Sequence, residues 1–381
     1  VSLFSWHIPT RILFGQGTLD RLAAETEALR ARRALIMTDP IMARLGLTEQ
    51  VQKALPAGTE ATVYTDVVPE PPVESLDAVI RLVRDGGYDL IIGFGGGSSL
   101  DSAKLAAIMA TNEGSVRDFV GVGLVPKPGL PTILIPTTAG TGSEVTNIAI
   151  ITDGTLKKGI VSPYLYATVA ICDPVLTLTM PPAITAATGM DALTHAVEAY
   201  VSVNASPMSD ALAMEAVRII GRHLRRAYAN GTDVAAREQM LLGAMLAGLA
   251  FANAGVGAVH ALAYPLGGEF HVSHGVANAL LLSPVMSFNL VGCVDRLGDV
   301  ARAMGEPVDG LSPVGAAEAA VAAMRRLNGD VEIPQNLRAV GVPESALPGL
   351  AAGAAKVTRL WANNPRKATE AQILEIYRRA L

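Results

Sequence analysis

Five short apolar runs punctuate the first half of the chain, at residues 34–38 (ALIMT), 62–65 (TVYT), 89–94 (DLIIGF), 132–136 (TILIP) and 168–172 (TVAIC). Runs such as LIIGF are apolar throughout rather than alternating, which is the pattern of a strand buried on both faces. Residues 73–85 and 99–110, between the runs, space their apolar side chains at helical intervals. Strands alternating with helices imply crossover connections. This half is therefore expected to be an α/β unit, a parallel sheet with helices on both faces. Residues 148–152 and 159–161 can form a small hairpin beside it.

From Pro182 onward no strand pattern is found. Alanine-rich helical stretches cover residues 183–201, 206–229, 234–253, 256–269, 276–289 and 315–328. The expected organisation is an α/β domain over 1–180 and an all-α domain over 181–381, with the boundary at Met180-Pro181-Pro182. A chain of 381 residues can bury two such cores. Only 17% of residues are charged, so general disorder is not expected, and the net charge of -5 gives no basic footprint for a nucleic-acid partner. Two cysteines, Cys172 and Cys293, exclude a disulfide scaffold and a cysteine zinc ribbon. The opening VSLFSWHIPTRILFG lacks the basic start and apolar run of a secretory signal. The apolar stretch 240–258 is rich in alanine and glycine and carries Asn253, which fits a buried helix rather than a membrane span. The expected compartment is cytoplasmic, without a membrane partner.

Gly95-Gly96-Gly97-Ser98-Ser99 follows the strand DLIIGF and precedes a helix. Glycines let the backbone approach an anion, and the helix start adds partial positive charge, so Gly96, Gly97 and Ser98 are candidates to cradle a pyrophosphate. A tight turn would use the same residues, and the spacing is neither GxGxxG nor a P-loop. Asp39 ends an earlier strand. An acidic residue there can accept a hydrogen bond from a ribose 2′-hydroxyl, which would favour NAD(H), although Asp39-Pro40 also reads as a plain turn.

Asp191 and His195 lie at i and i+4 of a helix, which puts a carboxylate and an imidazole on one face. His260 and His274 follow, with Gly267-Gly268 expected to break the intervening stretch and return both imidazoles toward the first pair. Three histidines and one aspartate form an N/O site for a borderline divalent ion such as iron(II), zinc, cobalt or nickel. Hydrogen-bonded core histidines are the alternative for any one of them.

At these residues the chain resembles the iron-containing (group III) alcohol dehydrogenase family, nearly end to end. The resemblance is carried by PTRILFGQGTLDRL, GGGSSLDSAK, PTTAGTGSEVT, TAATGMDALTHAVEAY, HALAYPLGGEFHVSHGVANALLLSPVMSFN and NNPRKAT. Its flavour is that of the lactaldehyde reductase or propanediol oxidoreductase branch. The resemblance implies a Rossmann-like domain and a helical domain of the dehydroquinate synthase-like fold, with the active site in the cleft between them. It implies Asp191, His195, His260 and His274 as ligands to a metal, Fe2+ or another divalent ion. It places Asp39, Gly97, Ser98, Thr137, Thr138, Thr146 and Lys157 along NAD. A helix-capping turn would also account for Thr137-Thr138.

The activity implied is hydride transfer between a small alcohol or aldehyde and the nicotinamide, in a homodimer or higher homo-oligomer. Rivals on the same fold are a hydroxyacid–oxoacid transhydrogenase and a non-redox lyase; a metal-storage protein would have no use for the glycine loop. Three positions depart from the family pattern. Glu70 stands where many relatives have Asn, Tyr264 where many have a second His, and Ser273 where Pro precedes the last ligand. With Tyr264 in that place, the proton relay is expected at His271, alone or with Tyr264; an exposed loop histidine is the alternative for His271.

Overall fold

The computed structural model describes residues 3–154 and 156–381. The chain divides into two compact units. One comprises Ile8–Thr138 and Ser143–Leu178; the other comprises Thr179–Leu381 with Ala139–Gly142 and residues 3–7. A single cut in the sequence therefore does not describe the division, because two short segments of the first half belong with the helices.

The first unit contains strands β1 (Arg11–Phe14), β2 (Arg33–Met37), β3 (Glu60–Tyr64), β4 (Leu90–Gly95), β5 (Gly121–Val122), β6 (Thr132–Pro136), β7 (Ile148–Asp153), β8 (Leu156–Val161) and β9 (Val169–Cys172). Six of them form a parallel sheet in the order β1-β9-β6-β4-β2-β3. Helices α1 (Leu22–Ala28), α2 (Pro40–Arg44), α3 (Leu47–Lys53), α4 (Val73–Gly86) and α5 (Gly97–Met109) connect the strands. Successive side chains of a strand point to opposite faces. Leu35, Met37, Ile91 and Leu134 accordingly join the core under α4 and α5, while Ala34, Ile36, Ile92 and Ile133 join a second core with Leu22 of α1 and Val51 of α3. The chain leaves β2 for β3 on one side and returns to β4 on the other. The order reverses between β2 and β4, and the crevice outside the carboxyl ends of such strands is where α/β sheets bind ligands. The expected hairpin is present as antiparallel β7 and β8, extended by β5 into a second, small sheet.

The second unit is helical, with no strand among its described residues. Its core elements are α6 (Pro182–Val201), α7 (Pro207–Ala229), α8 (Val234–Ala254), α9 (Ala258–Phe270) and α10 (His274–Asn289). Buried Arg237 of α8 fixes the start of α6, donating to Met180 O at 2.9 Å and Thr185 Oγ1 at 2.6 Å. By length and composition α8 and the segment His274–Gly292 could cross a membrane, but each is more than half buried within the unit.

Two expectations about helix ends need correction. Helix α5 begins at Gly97 rather than residue 99, so the glycine loop runs into its first turn. Helix α9 continues through Gly267-Gly268 to Phe270 and ends at His271, whose φ of 53° is left-handed. A mid-helix glycine costs only about 1 kcal/mol relative to alanine. Both glycines are buried, and burial of this helix outweighs that cost.

A buried polar cluster ties α5 to residues 143–150. Lys104 Nζ donates to Thr146 Oγ1 (3.1 Å) and Ile148 O (2.9 Å). Asp101 accepts from Ser143 Oγ (2.5 Å) and the Ile150 amide (2.9 Å). Glu144 lies in the same cluster, 2% exposed. Burial pushes the Glu144 carboxyl up to about 7 and the Lys104 ammonium down to about 8. For Glu144 the folded state favours the protonated form. The stability this contributes is complete below the unfolded value of 4.5 and is lost as pH rises through about 7. Glu144→Gln should therefore match the wild type near the unfolded value and exceed it by roughly 3 kcal/mol above neutrality. Thermal unfolding of both proteins across that interval checks this; a difference independent of pH would contradict it.

Candidate metal centre and nucleotide loop

Asp191 and His195 project from one face of α6, as the i, i+4 spacing predicts, with His195 Nε2 3.9 Å from Asp191 Oδ1. His260 comes from the first turn of α9, and His274 is the first residue of α10. One donor atom from each of the four lies within 4.8 Å of every other. Asp191, His195 and His260 are buried, whereas the His274 side chain is 29% exposed, so the cluster opens on the His274 side. The His195 ring stacks between Phe251 (4.4 Å) and His260 (4.8 Å). Burial holds His195 down at about 4, so it is neutral at neutral pH with a lone pair to donate. Burial opposes ionisation of Asp191, but the three imidazoles and the Asn278 amide outweigh it and hold the carboxyl below its usual value.

Glu198, absent from the sequence-based candidates, organises this arrangement. It lies on α6 one turn past His195, so the helical spacing that paired Asp191 with His195 could have found it. One of its oxygens accepts the Val259 amide at 2.7 Å, at the start of α9. The other lies 2.5 Å from His260 Nδ1. A carboxylate there complements the helix dipole and binds the Nδ1 proton, which leaves the Nε2 lone pair facing Asp191. Asn364, in the closing motif NNPRKAT, accepts the neighbouring Ala258 amide at 3.3 Å. Gly275 brings in His274: a Cβ on it would meet Ala187 O at 2.4 Å, so only glycine lets α10 approach the α6 backbone this closely beside that histidine.

Asn278 shows what the donor set fits. Its Nδ2 lies 2.7 Å from Asp191 Oδ1, 3.1 Å from His260 Nε2 and 3.2 Å from His274 Nε2. An amide nitrogen carries two hydrogens and cannot satisfy three acceptors. Three imidazoles and a carboxylate converging on one point fit a divalent cation.

In the first unit, Gly95 ends β4 with a φ of 139°, and Gly96 caps α5. A Cβ on Gly95 would lie 2.7 Å from Ser99 Oγ and 3.2 Å from Asp39 Oδ2. The turn reading of Asp39 is seen directly, and its second oxygen lies beside the loop. Its Oδ1 caps α2 by accepting the Ile41 and Met42 amides, and its Oδ2 points to the glycine loop at the β2/β4 crevice. The first-turn amides of α5, at Gly97 and Ser98, have no acceptor within the helix. Thr137 donates its amide to Gly95 O (2.9 Å), and Thr138 Cγ2 would be 3.5 Å from a Cβ on Gly96, so both border the loop. Ser98 Oγ accepts from the Glu70 amide, and Lys157 pairs with the Glu70 carboxylate. Thr146 differs: it is 1% exposed and its hydroxyl is committed to Lys104.

Of the relay candidates, Tyr264 stands beside the cluster, its ring centroid 6.5 Å from that of His274. His271 is exposed and serves α9 through its backbone as the left-handed C-cap.

Glu198→Gln should weaken divalent-metal affinity by about 10- to 100-fold, because the amide no longer fixes the His260 tautomer. Competition against a chelator of known affinity measures this. Unchanged affinity would show that Glu198 serves α9 alone.

Two family models together span most of the chain: "Iron-containing alcohol dehydrogenase" matches residues 9–174, and "Fe-containing alcohol dehydrogenase family, C-terminal" matches residues 185–381. The long-chain-alcohol dehydrogenase 1 of Geobacillus thermodenitrificans is 52% identical over 96% of this chain and 94% of its own. The NAD-dependent methanol dehydrogenase of Bacillus methanolicus is 37% identical over 99% and 100%. A crystal structure of 1,3-propanediol oxidoreductase superposes with a TM-score of 0.97 at 40% identity, covering all of both chains. These relatives are alcohol dehydrogenases, which disfavours the transhydrogenase alternative. The chain belongs to the iron-containing alcohol dehydrogenase family, in its propanediol oxidoreductase branch, and is an alcohol/aldehyde oxidoreductase.

Proposed function

We propose that this chain moves a hydride between a small alcohol or aldehyde and NAD(H), with iron(II) as its resident divalent ion. The observation that carries the reading is the convergence of Asp191, His195, His260 and His274, backed by Glu198. A divalent ion held there supplies Lewis-acid polarisation of an alcohol or carbonyl oxygen. Asp191 contributes the one carboxylate donor, and the three histidines contribute ring nitrogens. Phe251 walls the His195 side and keeps water from it, while the His274 side stays open for a small substrate. Tyr264, beside His274, is the group assigned to carry the alcohol proton outward; exposed His271 is the second candidate.

NAD(H) is supported by the glycine loop running into α5 and by Asp39 Oδ2 at the crevice. It is supported further by a relative named as an NAD-dependent methanol dehydrogenase. Gly96, Gly97 and Ser98 present amides to the pyrophosphate, and Asp39 accepts from the ribose 2′-hydroxyl. Thr137, Thr138 and Lys157 border the same loop. The reading includes a cytoplasmic location and a homodimer or higher homo-oligomer, without nucleic-acid or membrane partners.

Chelation should abolish turnover reversibly, with iron(II) restoring it. Asp191→Ala should lower activity by about 10³-fold or more and remove the bound metal. Full activity in protein shown by elemental analysis to be metal-free would refute the reading. A second expectation concerns the cofactor. Asp39→Ser keeps a helix-capping oxygen but drops the charge that repels a 2′-phosphate. It should narrow the preference for NAD(H) over NADP(H) by about tenfold or more without loss of fold. Equal catalytic efficiency with both cofactors in the unaltered enzyme would contradict the role given to Asp39.

A further inference from the structure

Glu70 joins three parts of the nucleotide unit. Its amide donates to Ser98 Oγ in the glycine loop at 3.0 Å. Its carbonyl accepts from Thr152 Oγ1 of β7 at 3.0 Å, and Pro71 and Pro72 continue the contact with Thr152. Its carboxylate accepts from Lys157 Nζ of β8 at 2.6 Å. The Lys157 side chain is 3% exposed and that of Glu70 is 34% exposed. The lysine therefore meets the site through its partner rather than as a free charge. Glu70 also has a φ of 50°. That left-handed conformation suits glycine and asparagine and is unfavourable for a long side chain. Two of the three contacts come from the backbone and any residue could make them; the carboxylate is used only on Lys157, so that ion pair is what a glutamate adds at this position.

We infer that Glu70 is a selectivity residue: by neutralising Lys157 beside the glycine loop, it disfavours the more anionic state of the dinucleotide. The inference rests on the NAD(H) reading above. NADH carries one more negative charge than NAD+, because hydride addition removes the positive charge of the nicotinamide ring. A carboxylate near the bound dinucleotide penalises NADH more than NAD+. An unpaired lysine in the same place would do the opposite. The Glu70–Lys157 pair thus limits the affinity for the reduced cofactor and favours its release after alcohol oxidation.

The test is a double-mutant cycle on the intact protein, read by equilibrium binding of NADH fluorescence and by NAD+ competition. Glu70→Gln should tighten NADH about five- to tenfold more than NAD+. The preference should shrink at high salt, as screening requires. Glu70→Asn removes the same charge while relieving the backbone, and should give the same ratio. Lys157→Met should shift the ratio the other way. The double variant Glu70→Gln/Lys157→Met should return to within about twofold of the wild type. A strap with only a structural role would weaken both ligands equally and leave the ratio unmoved. If the wild type binds NADH and neither uncharged variant changes the ratio, the inference is overturned alone. If the wild type binds no NADH, the cofactor reading fails and the inference with it.

Discussion

The Glu198 carboxylate is shared between two demands. One oxygen takes the Val259 amide at the start of α9, and the other takes His260 Nδ1. A buried carboxylate with no donors would be costly, and a helix start with unsatisfied amides would be too. Each problem resolves the other, and the result sets the axis of α9 and the tautomer of His260 together. The rest of the centre follows from where α6 lies. Asp191 and His195 are on the same helix as Glu198, Arg237 fixes its first turn, and Gly275 lets α10 reach its backbone. The four candidate ligands from three helices converge because one helix carries two of them and the carboxylate that orients a third.

The α/β unit forms its candidate nucleotide crevice by topology rather than by a motif. Neither GxGxxG nor a P-loop is present, yet reversal of strand order between β2 and β4 leaves a crevice at their carboxyl ends. Asp39 and Gly95 lie there because β2 and β4 are neighbours in register, Met37 opposite Gly93. The same parallel geometry starts α5 immediately after the loop, so its first-turn amides are available to an anion. The buried cluster of Asp101, Lys104 and Ser143 then holds the segment 143–150 against α5.

Much of this was legible in the sequence, for identifiable reasons. Strands buried on both faces leave continuous apolar runs, so β2, β4, β6 and β9 stood out; β5, two residues long, leaves no such signal. The i, i+4 spacing of Asp191 and His195 survives folding because it is internal to one helix. What pattern alone could not show were relations between segments distant in sequence. Asn278 and Asn364 look like ordinary helix and loop residues until three helices meet. The glycine pair at 267–268 was misleading because burial overrides helix propensity, and His271 took the helix-ending conformation usually left to glycine. Thr146 matched a family segment but turned its hydroxyl into the buried cluster.

The central claim is that three imidazoles and one carboxylate bind one divalent ion. X-ray absorption at the iron edge of the reconstituted protein addresses it directly. The expected result is one ion per chain in a shell of nitrogen and oxygen donors at about 2.0–2.2 Å, with the outer-shell scattering of three histidine rings, reduced to two in His260→Ala. A sulfur shell, fewer than three imidazoles, or a spectrum unchanged in His260→Ala would contradict the account.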